Sequence, residues 1–499
     1  MTLTTVIAVT GGFALVLTTI EKQMGTARNK LVKNYILSLL QNFVGGFFIF
    51  SGMVKAVDPL GTAYKMNDYF AEFEGTFGGL DNIFSSLSPM FATMAEYTVA
   101  ISVFMIVFEI VLGVSLIIGA LPKWTAWAFF LLVAFFTVLT GYTYLTGYVP
   151  QDVNFFEFSK WGVYEPTNMK VTDCGCFGDF LVLEPIVTFR KDVVLLIPAL
   201  IFLLASSKFH QLFTKGRRLL ILGITTAALL VYCFSNYVWD IPSVDFRPFT
   251  VGTNIAERKA LEEEAASNVK VIAYKMTNKA SGEEVELPFD EYLKEYTKYP
   301  KEEWDLQQIK TEPAVKRTKI TDFEASALDG TSITHSILSD KNPSLMIVAY
   351  KLYGTESTDV RIEPDTVFVQ DTIIVDVDTT LVQRVLRVDQ KEVSFTKYSW
   401  DETYLQKWKD SILPLVEKAT AEGMIAYCFT AYSDPNRVLA FKEAVGTTIP
   451  FCIGDDLLLK TIVRSNPGPV LLKNGEILEK WHYKNVPSFE EIKAEYINE

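Results

Sequence analysis

The sequence predicts an α-helical membrane bundle followed by an α/β domain on the extracytoplasmic side of the bilayer. Three observations lead there. Apolar runs long enough to cross a bilayer fill the first half of the 499-residue chain, although hydrophobic residues make up only 49% of the whole. Lysine and arginine cluster in alternate connections between those runs. From about Val244 onward, short apolar strands alternate with amphipathic helices, and most of the Asp, Glu and Lys are found there.

Crossing about 30 Å of hydrocarbon takes roughly 20 helical residues. Tyr35–Val57, Glu96–Gly119, Trp124–Leu145, Asp192–Ser206 with its flanks, and Leu219–Val238 meet that need. The earlier run Thr5–Ile20 is shorter. Its basic residues follow it instead of preceding it, unlike a secretory signal. It reads as a short sixth span, the alternative being an interfacial or partner-binding helix. Lys22, Arg28, Lys30 and Lys33 follow the first run, Lys123 the third, and Lys208, Lys215, Arg217 and Arg218 the fifth. All three loops alternate correctly under the positive-inside rule. The connections Asp58–Tyr97 and Gly147–Arg190, and the whole C-terminal half, are then expected outside. The net charge of −13 leaves no basic stripe to neutralise phosphates and argues against nucleic acid as a partner. The lipid bilayer is the partner the composition demands.

Five cysteines are too few for a disulfide scaffold. Two stand in Thr172-Asp173-Cys174-Gly175-Cys176-Phe177-Gly178-Asp179. Thiols this close can bond in a small strained ring, and a strained disulfide is readily reduced. The pair therefore reads as a redox couple or as a staple holding the loop; without a nearby histidine it is only half a zinc site. Glu109 lies within the apolar stretch Ile101–Gly113, where a carboxylate must pair, be protonated or face the bundle interior. Lys55, Arg190 and Lys191 are its candidate partners. Glu109 reads as a proton-transfer or quinone-contact group, or as an interhelical tie. Cys233, near the outer end of the last span, could resolve a mixed disulfide, but a small buried hydrophobe is the plainer reading.

A resemblance enters on these residues. Phe48-Ile49-Phe50-Ser51-Gly52-Met53-Val54-Lys55-Ala56-Val57-Asp58-Pro59, with Ala63-Tyr64-Lys65 and Asp68-Tyr69, resembles the opening of DoxX-family membrane proteins. Cys174-Gly175-Cys176-Phe177-Gly178 resembles the loop of the MauE branch, and residues 35–210 carry the likeness. The resemblance implies a four-helix core in a bacterial inner membrane, with Lys55 and Asp58 in structural positions and quinone-linked oxidation or disulfide formation in periplasmic proteins. The arrangement with a large C-terminal domain looks like a DoxX version found in Bacteroidetes. The first span (1–34) and the last (211–243) are additions to that core.

Residues 244–319 read as a small ordered juxtamembrane subdomain, with a helix at Ala256–Ala266 and a strand at Val269–Met276. From residue 320 the order is strand Leu345–Tyr350, helix Glu402–Glu422, strand Met424–Ala431, helix Asn436–Val445, strand Ile449–Ile453 and helix Asp455–Arg464. Pro467 follows, then a hairpin turning at Asn474-Gly475 and a terminal helix. This order resembles a thioredoxin fold of the TlpA or peroxiredoxin type, with Pro467 at the position of that fold's cis-proline. The reactive CxxC of that fold is missing: Lys351–Glu356 holds no cysteine. Cys428 and Cys452 fall inside strands and read as core. The insert 358–399 reads as added β-structure and a docking surface.

Three functions compete. One is a membrane thiol–disulfide oxidoreductase using Cys174 and Cys176, with quinone as electron acceptor and periplasmic proteins as clients. The second is a non-catalytic subunit of a larger envelope complex. The third is a small-molecule or lipid carrier centred on Glu109.

Overall fold

The computed structural model describes residues 2–24, 34–171, 175–375 and 378–497. The chain divides into two compact units, Met1–Arg247 and Pro248–Glu499.

The first unit is helical: α1 (Leu3–Met24), α2 (Tyr35–Val57), α3 (Pro59–Gly78), α4 (Ser88–Glu96), α5 (Thr98–Ile118), α6 (Pro122–Thr146), α7 (Pro185–Ala205) and α8 (Lys215–Phe234). Among the described residues five stretches are long and apolar enough to cross a membrane: α1, α2, α5, α6 and Lys215–Trp239. The expected span beginning at Asp192 starts earlier. α7 takes in Arg190, Lys191 and Asp192 and does not meet the same apolar standard. Residues 58–97, read from sequence as a connection, are mostly helical. Asp58 caps α3 by accepting from the Gly61 amide at 3.0 Å, and Pro59 fits the first turn because its missing N–H is not needed there. Both features are written in Asp58-Pro59. The charges along α3 are what hid the helix from an apolar-run search.

α2 and α5 run antiparallel and cross at glycines. A Cβ on Gly45 would lie 2.7 Å from the Gly113 carbonyl oxygen, and one on Gly113 would lie 2.7 Å from that of Gly45. Only hydrogen fits at such a crossing, and the close backbones gain dispersion contacts that lipid tails do not supply. At one end, Gln41 Nε2 donates to the Leu116 carbonyl (3.1 Å), and the His210 amide donates to Gln41 Oε1 (3.2 Å). Asn42 Nδ2 donates to Glu21 Oε2 at 3.0 Å. These contacts draw the end of α1, the start of α2, the end of α5 and the α7–α8 connection together, so the described flanks of the basic loops share one end. Arg28, Lys30 and Lys33 lie outside the described residues. At the opposite end, Ser102 Oγ donates to the Pro59 carbonyl (2.9 Å) and Asn236 Nδ2 to that of Ala56 (3.0 Å). The chain therefore leaves this unit at the end away from the basic loops.

The second unit contains β1 (Val271–Asn278), β2 (Glu284–Pro288), β3 (Trp304–Lys310), β4 (Ser326–Ala327), β5 (Pro343–Val348), β6 (Gly354–Val375), β7 (Asp378–Trp400), β8 (Ile425–Thr430), β9 (Phe451–Ile453), β10 (Gly468–Lys473) and β11 (Glu476–Lys480). The helix Ile255–Ser267 comes first in this unit, and β2-β1-β3 form an antiparallel sheet packed against the helix Phe289–Glu295. A six-stranded mixed sheet runs β11-β10-β5-β8-β9-β4, with β5, β8 and β9 parallel. The segment before the first helix bonds to the rim of that sheet: the Gly252 amide donates to the Ile477 carbonyl and the Ile255 amide to that of Gly475, both at 2.7 Å. The Asn466–Pro467 bond at the head of β10 is cis. Leu345, Ile347, Trp408, Phe441 and Phe451 are buried in the main core. The insert is one long hairpin, β6 with β7.

Candidate functional site

Cys174 lies outside the described residues. Cys176 follows Gly175 (φ 60°) and precedes Phe177-Gly178, with Gly178 at φ 52°. Both glycines occupy the left-handed region that a side chain disfavours, which accounts for two letters of the Cys-Gly-Cys-Phe-Gly string. Phe177 accounts for a third. It is buried against Phe47 in an edge-to-face contact at 5.7 Å and beside Phe50 at 6.3 Å, and so pins the loop into the bundle. Ser51 Oγ adds a hydrogen bond to the Cys176 carbonyl at 2.9 Å. The loop is thus held at the bundle end opposite the basic connections.

Inside the bundle Lys55 donates to Glu109, forming an ion pair with both side chains buried. The glycine crossing of α2 and α5 allows it: with the backbones so close, a lysine in the last turn of α2 reaches a carboxylate on α5. The pairing selects Lys55 from the three candidates. Lys191 pairs instead with Asp192, at 2.6 Å, and Asp192 also accepts from Thr140 Oγ1 at 3.0 Å. Lys191 Nζ lies 3.7 Å from Cys176 Sγ and 5.8 Å from the Phe177 ring centre.

These groups meet around one cavity of about 270 Å³. Phe47, Phe70, Phe73 and Phe136 supply aromatic wall, and Lys55, Glu109, Cys176, Lys191 and Asp192 supply its polar points. An apolar chamber with a few convergent polar groups is the usual form of a small-molecule site. Its chemistry suits a flat, lipid-soluble ligand: aromatic faces to stack on, an ammonium and a carboxyl group to meet ligand oxygens, and a sulfur to exchange electrons. Among the described residues no cluster of His, Cys, Asp and Glu fits a metal ion.

The other sequence-derived candidates lie elsewhere. Cys233 carries a free thiol fully buried with Ala56, Val103, Ile106, Val107, Ile110 and Leu229, and it does not line the cavity. Its neighbours among the described residues are mainly apolar side chains, the surroundings of a small buried hydrophobe. Cys428 and Cys452 are also free and buried. Cys452 stands directly beside Phe429, so Cys428, one residue along, faces the other side of the sheet. Burial pushes the Cys452 thiol up to about 11 and the Cys428 thiol well above its ordinary value. Pro467 heads β10 in the second unit and has no part in the cavity. Sequence reasoning missed Asp192 and Thr140 and offered Lys191 only as one of three alternative partners for Glu109. The signal was the run Arg190-Lys191-Asp192 inside an otherwise apolar helix, where an adjacent lysine and aspartate can neutralise each other.

No curated protein and no solved structure matches the chain. A family model does match part of it, spanning α2 to the end of α6 and including Lys55 and Glu109 but stopping short of Cys174, Cys176 and Lys191: residues 33–151 match the model of the methylamine utilisation protein MauE.

Proposed function

We propose that the chain is a membrane thiol–disulfide redox protein in which Cys174 and Cys176 pass electrons to a lipid-soluble quinone held in the aromatic cavity. The observation that carries this reading is that Cys176 and the buried Lys55–Glu109 pair line the same apolar chamber. Two thiols lose two electrons and two protons as the S–S bond forms, and the quinone takes up both to become the quinol. Re-reduction of the disulfide by a client dithiol makes a disulfide in the client. Lys55 and Glu109 serve as hydrogen-bond and proton groups for the quinone oxygens. The basic loops support a placement of the bundle end bearing Cys176 on the extracytoplasmic face of a bacterial inner membrane, the oxidising side, where exported proteins are the clients.

In this reading the second unit is a thioredoxin-like domain without its thiol, which is supported by the alternation of strands and helices, Pro467 ahead of the β10–β11 hairpin and the lack of cysteine in Lys351–Glu356. It binds and presents a client and does not react with it, since that fold's chemistry needs a thiolate there. The test uses the full chain in nanodiscs with dithiothreitol as donor and a short-chain benzoquinone as acceptor. Quinone reduction above the uncatalysed rate is expected, and Cys174→Ser or Cys176→Ser abolishes it. Equal rates for wild type and both variants reject the reading.

One observation favours a second reading, a non-catalytic subunit of an envelope complex. The β6–β7 hairpin displays Val360, Ile362, Phe368, Val385, Leu386 and Val388 to solvent, more apolar surface than a free ribbon needs. Mild-detergent purification from the native membrane yielding a lone monomer counts against it.

A further inference from the structure

The two cysteines of a redox pair are not equivalent, and the structure distinguishes one of them. Lys191 Nζ is 3.7 Å from Cys176 Sγ, and its own position is fixed twice over. Asp192 Oδ1 accepts from it at 2.6 Å, and Thr140 Oγ1, from the neighbouring α6, ties down the other oxygen of that carboxylate at 3.0 Å. Asp192 and Thr140 are both nearly inaccessible to solvent, so this anchor does not swing with the loop. A lysine needed only to neutralise Asp192 could lie anywhere around its carboxylate. This one is aimed at a sulfur, with its ammonium near the face of Phe177, the residue that pins the sulfur's own loop.

We infer that Lys191 holds Cys176 as a thiolate whenever the pair is reduced, making Cys176 the sulfur that faces the cavity ligand, with Asp192 and Thr140 as positioning residues. An ammonium within about 4 Å favours the charged form of an acid in a poorly solvated site. The same charge stabilises the thiolate leaving from Cys176 when the disulfide is attacked by a client thiolate: the client sulfur bonds to Cys174, the S–S bond breaks, and its electron pair stays on Cys176. The cavity's other charges do not cancel this. Lys65 on α3 runs beside Gly175, adding positive charge, and Lys55 and Glu109 neutralise each other across the chamber. Asp192 is engaged by Lys191 and Thr140; of the two carboxylates in loop residues 172–179, Asp179 lies three residues past the sulfur, and Asp173, three residues before it, lies outside the described residues.

The inference rests on the redox reading of the Cys-Gly-Cys pair, and its test can fail independently of that reading. In the full-length Cys174→Ser protein in nanodiscs, iodoacetamide is pulsed from about pH 5 to about pH 10, and labelling of the Cys176 peptide is followed by mass spectrometry. The midpoint is expected below the ~8.5 of an unperturbed thiol. Lys191→Met combined with Asp192→Asn, which leaves no buried carboxylate unpaired, moves the midpoint up by about a unit or more, a tenfold loss of labelling rate at pH 7. Lys191→Arg keeps it low. Continued protection of Cys233 from the reagent shows that the bundle is folded. A purely structural role would change the high-pH plateau and leave the midpoint alone. An unchanged midpoint in the double variant overturns the inference. A shifted midpoint in a protein that reduces no quinone leaves the thiolate assignment standing and removes the quinone reading instead.

Discussion

Lys55→Met leaves the Glu109 carboxylate deep in an apolar bundle without its counter-charge. In the native chain both side chains are almost inaccessible, enclosed by α2 and α5 and by Phe136, whose ring centre lies 5.6 Å from the ammonium. Breaking a buried pair by removing one partner costs about 3–5 kcal/mol, because the surviving charge keeps its desolvation penalty and loses its compensation. For a unit of about 250 residues each kcal/mol moves the unfolding midpoint by roughly 2–4 °C, so the single variant is expected to melt about 6–20 °C lower. Replacing both partners with apolar groups of similar volume, Lys55→Met with Glu109→Leu, removes the charges together and restores most of the loss. The bundle carries its own reporter: the fully buried Cys233 thiol, which becomes alkylatable when α5 and α8 separate, can be read peptide by peptide by mass spectrometry during a thermal ramp of the full chain. A Lys55→Met protein that exposes Cys233 within about 2 °C of wild type would refute the reasoning, because the pair would then contribute less than about 1 kcal/mol.

Three further outcomes are expected. Phe177→Ala removes the side chain that plugs the loop into the bundle, costs about 3–5 kcal/mol as a large-to-small core change, and speeds alkylation of Cys176 at every pH. A Cys176 rate equal to wild type would deny Phe177 its anchoring role. Gly113→Leu forces side-chain atoms into the space where a Cβ already meets the Gly45 carbonyl oxygen at 2.7 Å; separation of α2 from α5 should expose Cys233 at lower temperature, by at least the 1–3 kcal/mol typical of overpacking. The Cys452 thiol, raised to about 11 by burial, stays protonated in the native state after the unfolded chain has ionised. The unfolded state then binds fewer protons, so the stability this thiol contributes is fully present below about pH 9 and lost as pH climbs through 11. Chemical denaturation of the full chain, followed by alkylation of Cys428, should show this decline, and Cys452→Ala should lessen it without abolishing it, because the buried Cys428 thiol is raised as well.

Of the candidate site, the sequence specified the components but not their partners. Glu109 in an apolar helix had to be paired or protonated, because hydrocarbon solvates a carboxylate poorly. Lys55, Arg190 and Lys191 were all within plausible reach, and only the glycine crossing of α2 with α5 decided among them. The cavity itself was not legible. Its wall comes from residues scattered from Phe47 to Leu195, and apolar periodicity records that a side chain avoids water without recording whether it meets a neighbour, a lipid or an empty space.

The amino-acid sequence alone determined that the chain crosses a bilayer, which connections are basic, where strands and helices alternate in the second unit, and that the segment Lys351–Glu356 just after β5 holds no cysteine. These properties are local: hydrophobic length, charge and side-chain period are written in consecutive residues. The tertiary structure decided that the described flanks of the α1–α2, α5–α6 and α7–α8 connections gather at one end of the bundle. It also decided that α3 is a helix against the bundle, that Cys233 is enclosed by alkyl groups, and that Lys191 turns from Glu109 toward Asp192 and Cys176. Those outcomes depend on which helix faces pack together, and that choice is made by contacts between residues far apart in the chain.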